Sequence, residues 1–176
     1  MSEASRPPDF ISLEAHRDHG HPVERWTRWI FVGALSGLAL VALLGVFGQR
    51  PSSAAAVTPD ATLRVRAPDA IRGGLLFQGR FEVVATRPIR RPTLVLGAGW
   101  FDNLTINTVV PEPVRVTSVE RGVALEYAPM PAGRMLTVYF QFQVDPTTVG
   151  RRRQDVVLRD GTRELTAVRR TVTVFP

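Results

Sequence analysis

Two hydrophobic patterns divide the chain. From Ile30 to Gly48 the sequence reads IFVGALSGLALVALLGVFG, with no charge and Ser36 as its only polar side chain. Wound as an α-helix, this run is about 28 Å long, close to the thickness of a bilayer hydrocarbon core. Arg28 and Arg50 bound it, and Trp26 and Trp29 stand at its N-terminal edge, where amphipathic rings favour the headgroup layer. The pattern predicts one membrane-crossing helix over residues 29–48. A helix buried in a soluble core would need more surrounding chain than is left here.

Beyond residue 60 the period falls to two, the spacing of half-buried strands. Leu136, Val138, Phe140, Phe142 and Val144 fall on one face, against Thr137, Tyr139, Gln141 and Gln143 on the other. Phe77, Gly79, Phe81, Val83 and Ala85 alternate with Gln78, Arg80 and Glu82, and Val123, Leu125 and Tyr127 form a third face. Shorter strands are expected at 63–65, 93–96, 104–108 and 114–119. Val156 and Leu158 lead into Asp160-Gly161, a strong signal for a two-residue hairpin, and the return strand carries Val168, Val172 and Val174. Seven to nine strands, no helical window after residue 50 and many Pro and Gly between predict an all-β fold. The natural solution is an immunoglobulin-like antiparallel β-sandwich over 61–176, preceded by one transmembrane α-helix; a small closed barrel is the rival.

The N-terminal tail, residues 1–28, is polar and contains Pro7-Pro8, so it is expected to be disordered. Residues 49–60, QRPSSAAAVTPD, read as a linker. Its small residues Ser53-Ala54-Ala55-Ala56 also offer a signal-peptidase site, so the alternative is cleavage after Ala56 and a secreted sandwich. The long apolar run and long preceding segment favour a retained anchor. Arginines flank the helix almost evenly, with Arg17, Arg25 and Arg28 on one side and Arg50, Arg64 and Arg66 on the other. The tighter Arg25–Arg28 cluster predicts a cytoplasmic N-terminus and an extracytoplasmic C-terminal domain.

Composition narrows the chemistry. The chain holds 22 basic residues, all arginine, against 16 acids, for a net charge of +6. It has no Cys, and its 3 His precede residue 22. A disulfide framework, a Cys-ligated zinc, a thiol nucleophile and a His-based triad in the folded domain are therefore excluded. His16, His19 and His21 have no fold to fix a further ligand, so no metal site and no cofactor is expected. Glu112, Glu120 and Glu126 form no pattern that singles out paired carboxylates, and the expectation is a non-enzyme.

The segment Ala128-Pro129-Met130-Pro131-Ala132-Gly133, followed by the alternating strand Arg134–Val144, resembles the turn and long strand of bacterial immunoglobulin-like domains of the CARDB and fibronectin-III-like kinds. Met130 takes the apolar place of the turn, and Ala132 is an extra residue before Gly133. The layout of the whole chain resembles uncharacterised single-pass bacterial envelope proteins. The resemblance implies a sandwich and no active site.

Candidate interaction residues remain. Gly97-Ala98-Gly99-Trp100-Phe101-Asp102-Asn103 reads either as an exposed recognition loop bearing Trp100, Phe101 and Asp102, or as a bulge from which Trp100 plugs the core. Arg151, Arg152, Arg153, Arg169 and Arg170 are expected to share one sheet edge, either to block strand addition or to attract anionic lipid or envelope polymer. Nucleic acid fits poorly, since no aromatics alternate with these arginines. Gly33, Gly37 and Gly45 mark a small-residue stripe suited to close helix packing, in a homodimer or against another protein. The sequence thus predicts a non-catalytic, membrane-anchored binding or scaffold module, accessory to a protein complex. Arg-mediated binding of an anionic surface is the alternative.

Overall fold

The computed structural model describes residues 22–43, 50–120 and 122–176. The chain divides into two units, Met1–Gly48 and Gln49–Pro176. In the first, helix α1 spans Pro22–Leu43. Within it, Trp26–Leu43 is long and apolar enough to cross a membrane, and its side chains are all exposed. The helix starts at Pro22, inside the segment expected as a disordered tail; proline suits a first helical turn, where its missing N–H costs nothing. The remainder of that tail, with the three histidines, lies outside the described residues, as do Gly45 and the end of the apolar run.

The second unit is all-β. Strands β1 (Pro51–Val57), β2 (Ala61–Pro68), β4 (Leu76–Ala85), β9 (Met135–Val144) and β6 (Leu104–Val110) form one antiparallel sheet in the order β1-β2-β4-β9-β6. A second has the order β12-β11-β5-β8-β7, from β12 (Arg163–Val168), β11 (Val156–Asp160), β5 (Pro92–Gly97), β8 (Gly122–Glu126) and β7 (Arg115–Val119). A three-stranded sheet joins β10 (Gly150–Arg153), β13 (Thr171–Phe175) and β3 (Ala70–Arg72), the last pair being parallel. Set against the immunoglobulin scheme, β2-β4-β9-β6 follow the A-B-E-D order and β5, β11 and β12 the C-F-G order. The β7–β8 hairpin widens the second sheet beyond β5. The fold is an immunoglobulin-like sandwich.

The alternation read from the sequence sets the core. Leu63, Val65, Phe81, Val83, Val138, Phe140, Phe142 and Val144 point inward from one sheet, and Leu94, Leu96, Val156 and Leu158 from the other, all buried. Gly79 faces Phe140 across the ladder, and a Cβ there would lie 3.0 Å from the Phe81 ring and 3.1 Å from that of Phe142, so glycine makes room for the aromatics. Met130 is buried and bridges Ile89, and Gly133 turns the chain with φ 79°, as the 128–133 resemblance implies.

Three features differ from expectation. Residues 51–57 are not a linker: they pair with β2 in register from Pro51↔Pro68 to Val57↔Thr62, and Ala54 and Ala56 pack on the core. The folded unit therefore begins before Ala61. The Asp160-Gly161 hairpin forms, but its loop is Gly161-Thr162, with positive φ at Gly161 alone (62°), a pattern that suits glycine at the first turn position. Finally, the return strand is broken at 169–170, where β12 ends and β13 joins another sheet.

Candidate functional site

At that break lies Arg170, expected on an exposed edge and found buried, its side chain 4% exposed. Val168, Arg170, Val172 and Val174 occupy alternate, inward positions, so the strand phase runs straight through the break and carries the guanidinium inside. Its Nη2 donates to Ala67 O (2.9 Å), Pro68 O (2.7 Å) and Asp69 Oδ1 (2.9 Å), and its Nη1 to Gln154 Oε1 (3.2 Å). Ala67 and Pro68 lie where the chain leaves β2 to enter β3, and Arg170 satisfies carbonyls at that change of sheet. Burial opposes ionisation of Asp69, but the Ser52 hydroxyl and the Arg170 guanidinium outweigh it and hold the carboxyl below its ordinary range.

Of the two readings of Trp100, an exposed recognition residue and a core plug, the structure shows the second. Trp100 is fully buried, projecting from a 3-10 turn (Ala98–Trp100) rather than a bulge, and packs 5.1 Å from Phe81 and 5.3 Å from Phe142, centroid to centroid. It fills the core as one of the two readings held, and offers nothing to a partner. Gly99 permits this turn: a Cβ there would meet Arg153 O at 2.0 Å.

Asp102, Arg151, Arg152 and Arg153 come together around the same turn. Gly97, Ala98, Gly99 and Asp102 line one side of a cleft of about 680 Å³, and Gly150, Arg151, Arg152, Arg153 and Asp155 the other. Arg152 donates to Asp102 O (2.9 Å) and Arg153 pairs with Asp155 (3.3 Å). These arginines lie on β10, the outer strand of its sheet, where their charge opposes strand addition. Arg169 is exposed and is not among the cleft residues.

Phe101 points elsewhere. With Ile106, Val109, Val116, Val123 and Phe140 it lines an apolar groove of about 460 Å³ between β6 and the β7–β8 hairpin. Every residue of β7 is exposed, Val116 at 60%, and Val110 and Val114 stand out nearby at 53% and 72%. Sequence reading missed this groove because its walls come from two sheets, which no local pattern brings together.

Among the described residues no three His, Cys, Asp or Glu cluster to hold a metal. Glu126 lies opposite Arg115 in the ladder, and burial pushes the Tyr127 phenol upward. On α1, Gly33 and Gly37 have open space where a Cβ would stand.

No family model and no curated protein matches the sequence. In fold the chain is similar to a chain of the CaDoc0917–CaCohA2 complex (TM-score 0.39, 13% identity, 60% of this chain and 95% of that one). It is also similar to a CARDB domain in complex with di-metal ions from Pyrococcus furiosus (TM-score 0.36, 15% identity, 71% and 89%). A third likeness is to the alkylpurine DNA glycosylase AlkC of Pseudomonas fluorescens bound to DNA (TM-score 0.32, 15% identity, 62% and 28%).

Proposed function

We propose that the chain is a non-catalytic binding module held at a membrane by α1, with an extracytoplasmic sandwich that docks a protein partner in the groove between β6 and the β7–β8 hairpin. The observation that carries this reading is the groove. Its lining is apolar but for Glu112, and Arg115, Thr117 and Ser118 beside Val116 are exposed, a mix of apolar centre and polar surround common to protein interfaces. The edge of β7 also leaves backbone groups open to a strand supplied by another chain. The helix supports the reading by confining such a module to two dimensions, which raises the effective concentration of any partner in the same membrane.

The test places a photocrosslinking residue at Val116 of the full-length chain in native membranes. A discrete adduct that disappears when Val109→Asp is added supports groove docking. The same adducts from Val116 as from exposed Thr147, outside the groove, contradict it. A second reading, anion binding, rests on the cleft lined by Arg151, Arg152 and Arg153; its mark is loss of binding with rising ionic strength, which apolar docking does not show.

A further inference from the structure

The outer face of the β1-β2-β4-β9-β6 sheet gathers arginines that are scattered in the sequence. Arg64 and Arg66 point outward from β2, and Arg80 and Glu82 from β4. Glu82, whose side chain is 10% exposed, is shared: Arg80 Nη2 lies 2.7 Å from it and Arg64 Nη1 3.7 Å. Arg66 stands directly opposite Arg80 in the ladder, and among the described residues no carboxylate pairs with it. Like charges set opposite each other weaken a sheet. Three guanidiniums against one carboxylate leave the patch cationic, so an anion laid over it would relieve the repulsion.

The neighbours decide what kind of anion. Arg80 also faces Tyr139, its guanidinium carbon 5.5 Å from the ring centroid. Gln78 faces exposed Gln141 in the next row. Beside Arg66 and Arg64 the edge strand β1 presents only Ser53 and Ala55, so the guanidiniums are not overhung on that flank. No aliphatic side chain stands among Arg64, Arg66, Arg80 and Glu82; Val110 lies beyond Tyr139 and Val84 one row past Glu82, so the centre of the patch has nothing to insert into lipid. Guanidiniums bind carboxylates or sulfates through paired hydrogen bonds, carboxamides serve hydroxyls as donor and acceptor, and a phenol ring offers a flat apolar surface. We propose that this sheet face binds an anionic polysaccharide laid across β2, β4 and β9. This surface is separate from the groove and does not depend on the protein-docking reading.

The experiment uses the full chain in nanodiscs of zwitterionic lipid, with polygalacturonate as the probe, dextran as the neutral polymer and phosphatidylglycerol vesicles as the anionic lipid. The expected result is binding to polygalacturonate and not to dextran, weakening about tenfold between 50 and 200 mM salt as two or three ionic contacts are lost. R66Q, which removes an exposed and unpaired arginine, is expected to weaken binding about fivefold or more with an unchanged melting temperature. Y139A is expected to weaken it as well. A triple R151Q/R152Q/R153Q variant should bind as the wild type does. Equal binding to dextran, preference for the vesicles, indifference to R66Q, or loss only in the triple variant would each overturn the proposal. None of these outcomes touches crosslinking at Val116.

Discussion

The guanidinium of Arg170 lies over the indole of Trp100, 5.5 Å from the ring centroid. Both side chains were candidates for contact with a partner, and both are parts of the core. Trp100 fills the space between the two sheets, and Arg170 seals it at the point where β2 gives way to β3 and β12 to β13. Neither side chain is exposed to a partner.

Replacing Arg170 should therefore cost stability rather than binding. Arg170→Met removes the donor from the buried carbonyls of Ala67 and Pro68 and from Gln154 Oε1, and a buried acceptor left unpaired costs about 1–3 kcal/mol, whereas the Asp69 side chain, 59% exposed, is re-solvated. Arg170→Lys should recover only part of this, since a single ammonium cannot reproduce the forked geometry. Urea unfolding of the sandwich, followed by circular dichroism, measures both; equal stability of Arg170→Met and wild type would contradict the role.

Asp69, held down by the Ser52 hydroxyl and the Arg170 guanidinium, also sets a pH dependence. The folded carboxyl titrates below its ordinary value of 3.8. Its contribution is therefore complete above that value and lost as pH falls through the lowered folded value. Asp69→Asn should flatten the acid limb of the stability profile and leave the neutral region's slope unchanged. An unaltered acid limb would show that ionised Asp69 does not contribute.

Gly99 is held by close approach. A methyl group there meets Arg153 O, a backbone atom, so Gly99→Ala must push β10 away from the 3-10 turn. A loss of about 3 kcal/mol is expected, near 10 °C in melting temperature for a domain of this size. The 680 Å³ cleft should widen with it. A variant that melts with the wild type would contradict this packing.

Where the folded unit begins can be tested by truncation. A fragment starting at Gln49 keeps β1, whereas one starting at Ala61 loses its pairing with β2 and the packing of Ala54 and Ala56. The shorter fragment should remain β-rich but be about 2 kcal/mol less stable, and it should associate through the bared β2 edge. Size-exclusion chromatography and denaturant melts of the two fragments check this. Identical behaviour would mean that β1 adds nothing.

The long strands were legible because one face of each is buried and the chain alternates accordingly, as in Phe77–Ala85 and Leu136–Val144. β1 was not, because SSAAAV alternates between small residues that carry almost no hydrophobic signal. Arg170 was readable in part: it sits in phase with Val168 and Val172, but the sequence does not say that a change of sheet leaves carbonyls there for an arginine to fill. Phe101 and Asp102 are adjacent in sequence yet serve different surfaces, since the backbone turns between the groove and the cleft. The Arg64, Arg66 and Arg80 patch depends on strand register, which no local pattern specifies.

The central claim is that α1 remains attached to the sandwich and holds it in a membrane. The direct measurement is the intact mass of the chain in the pellet and supernatant of carbonate-washed native membranes. The full 19.4 kDa chain should stay with the pellet. A soluble species beginning after Ala56 would contradict the claim, and would also mean that the protein works without most of β1.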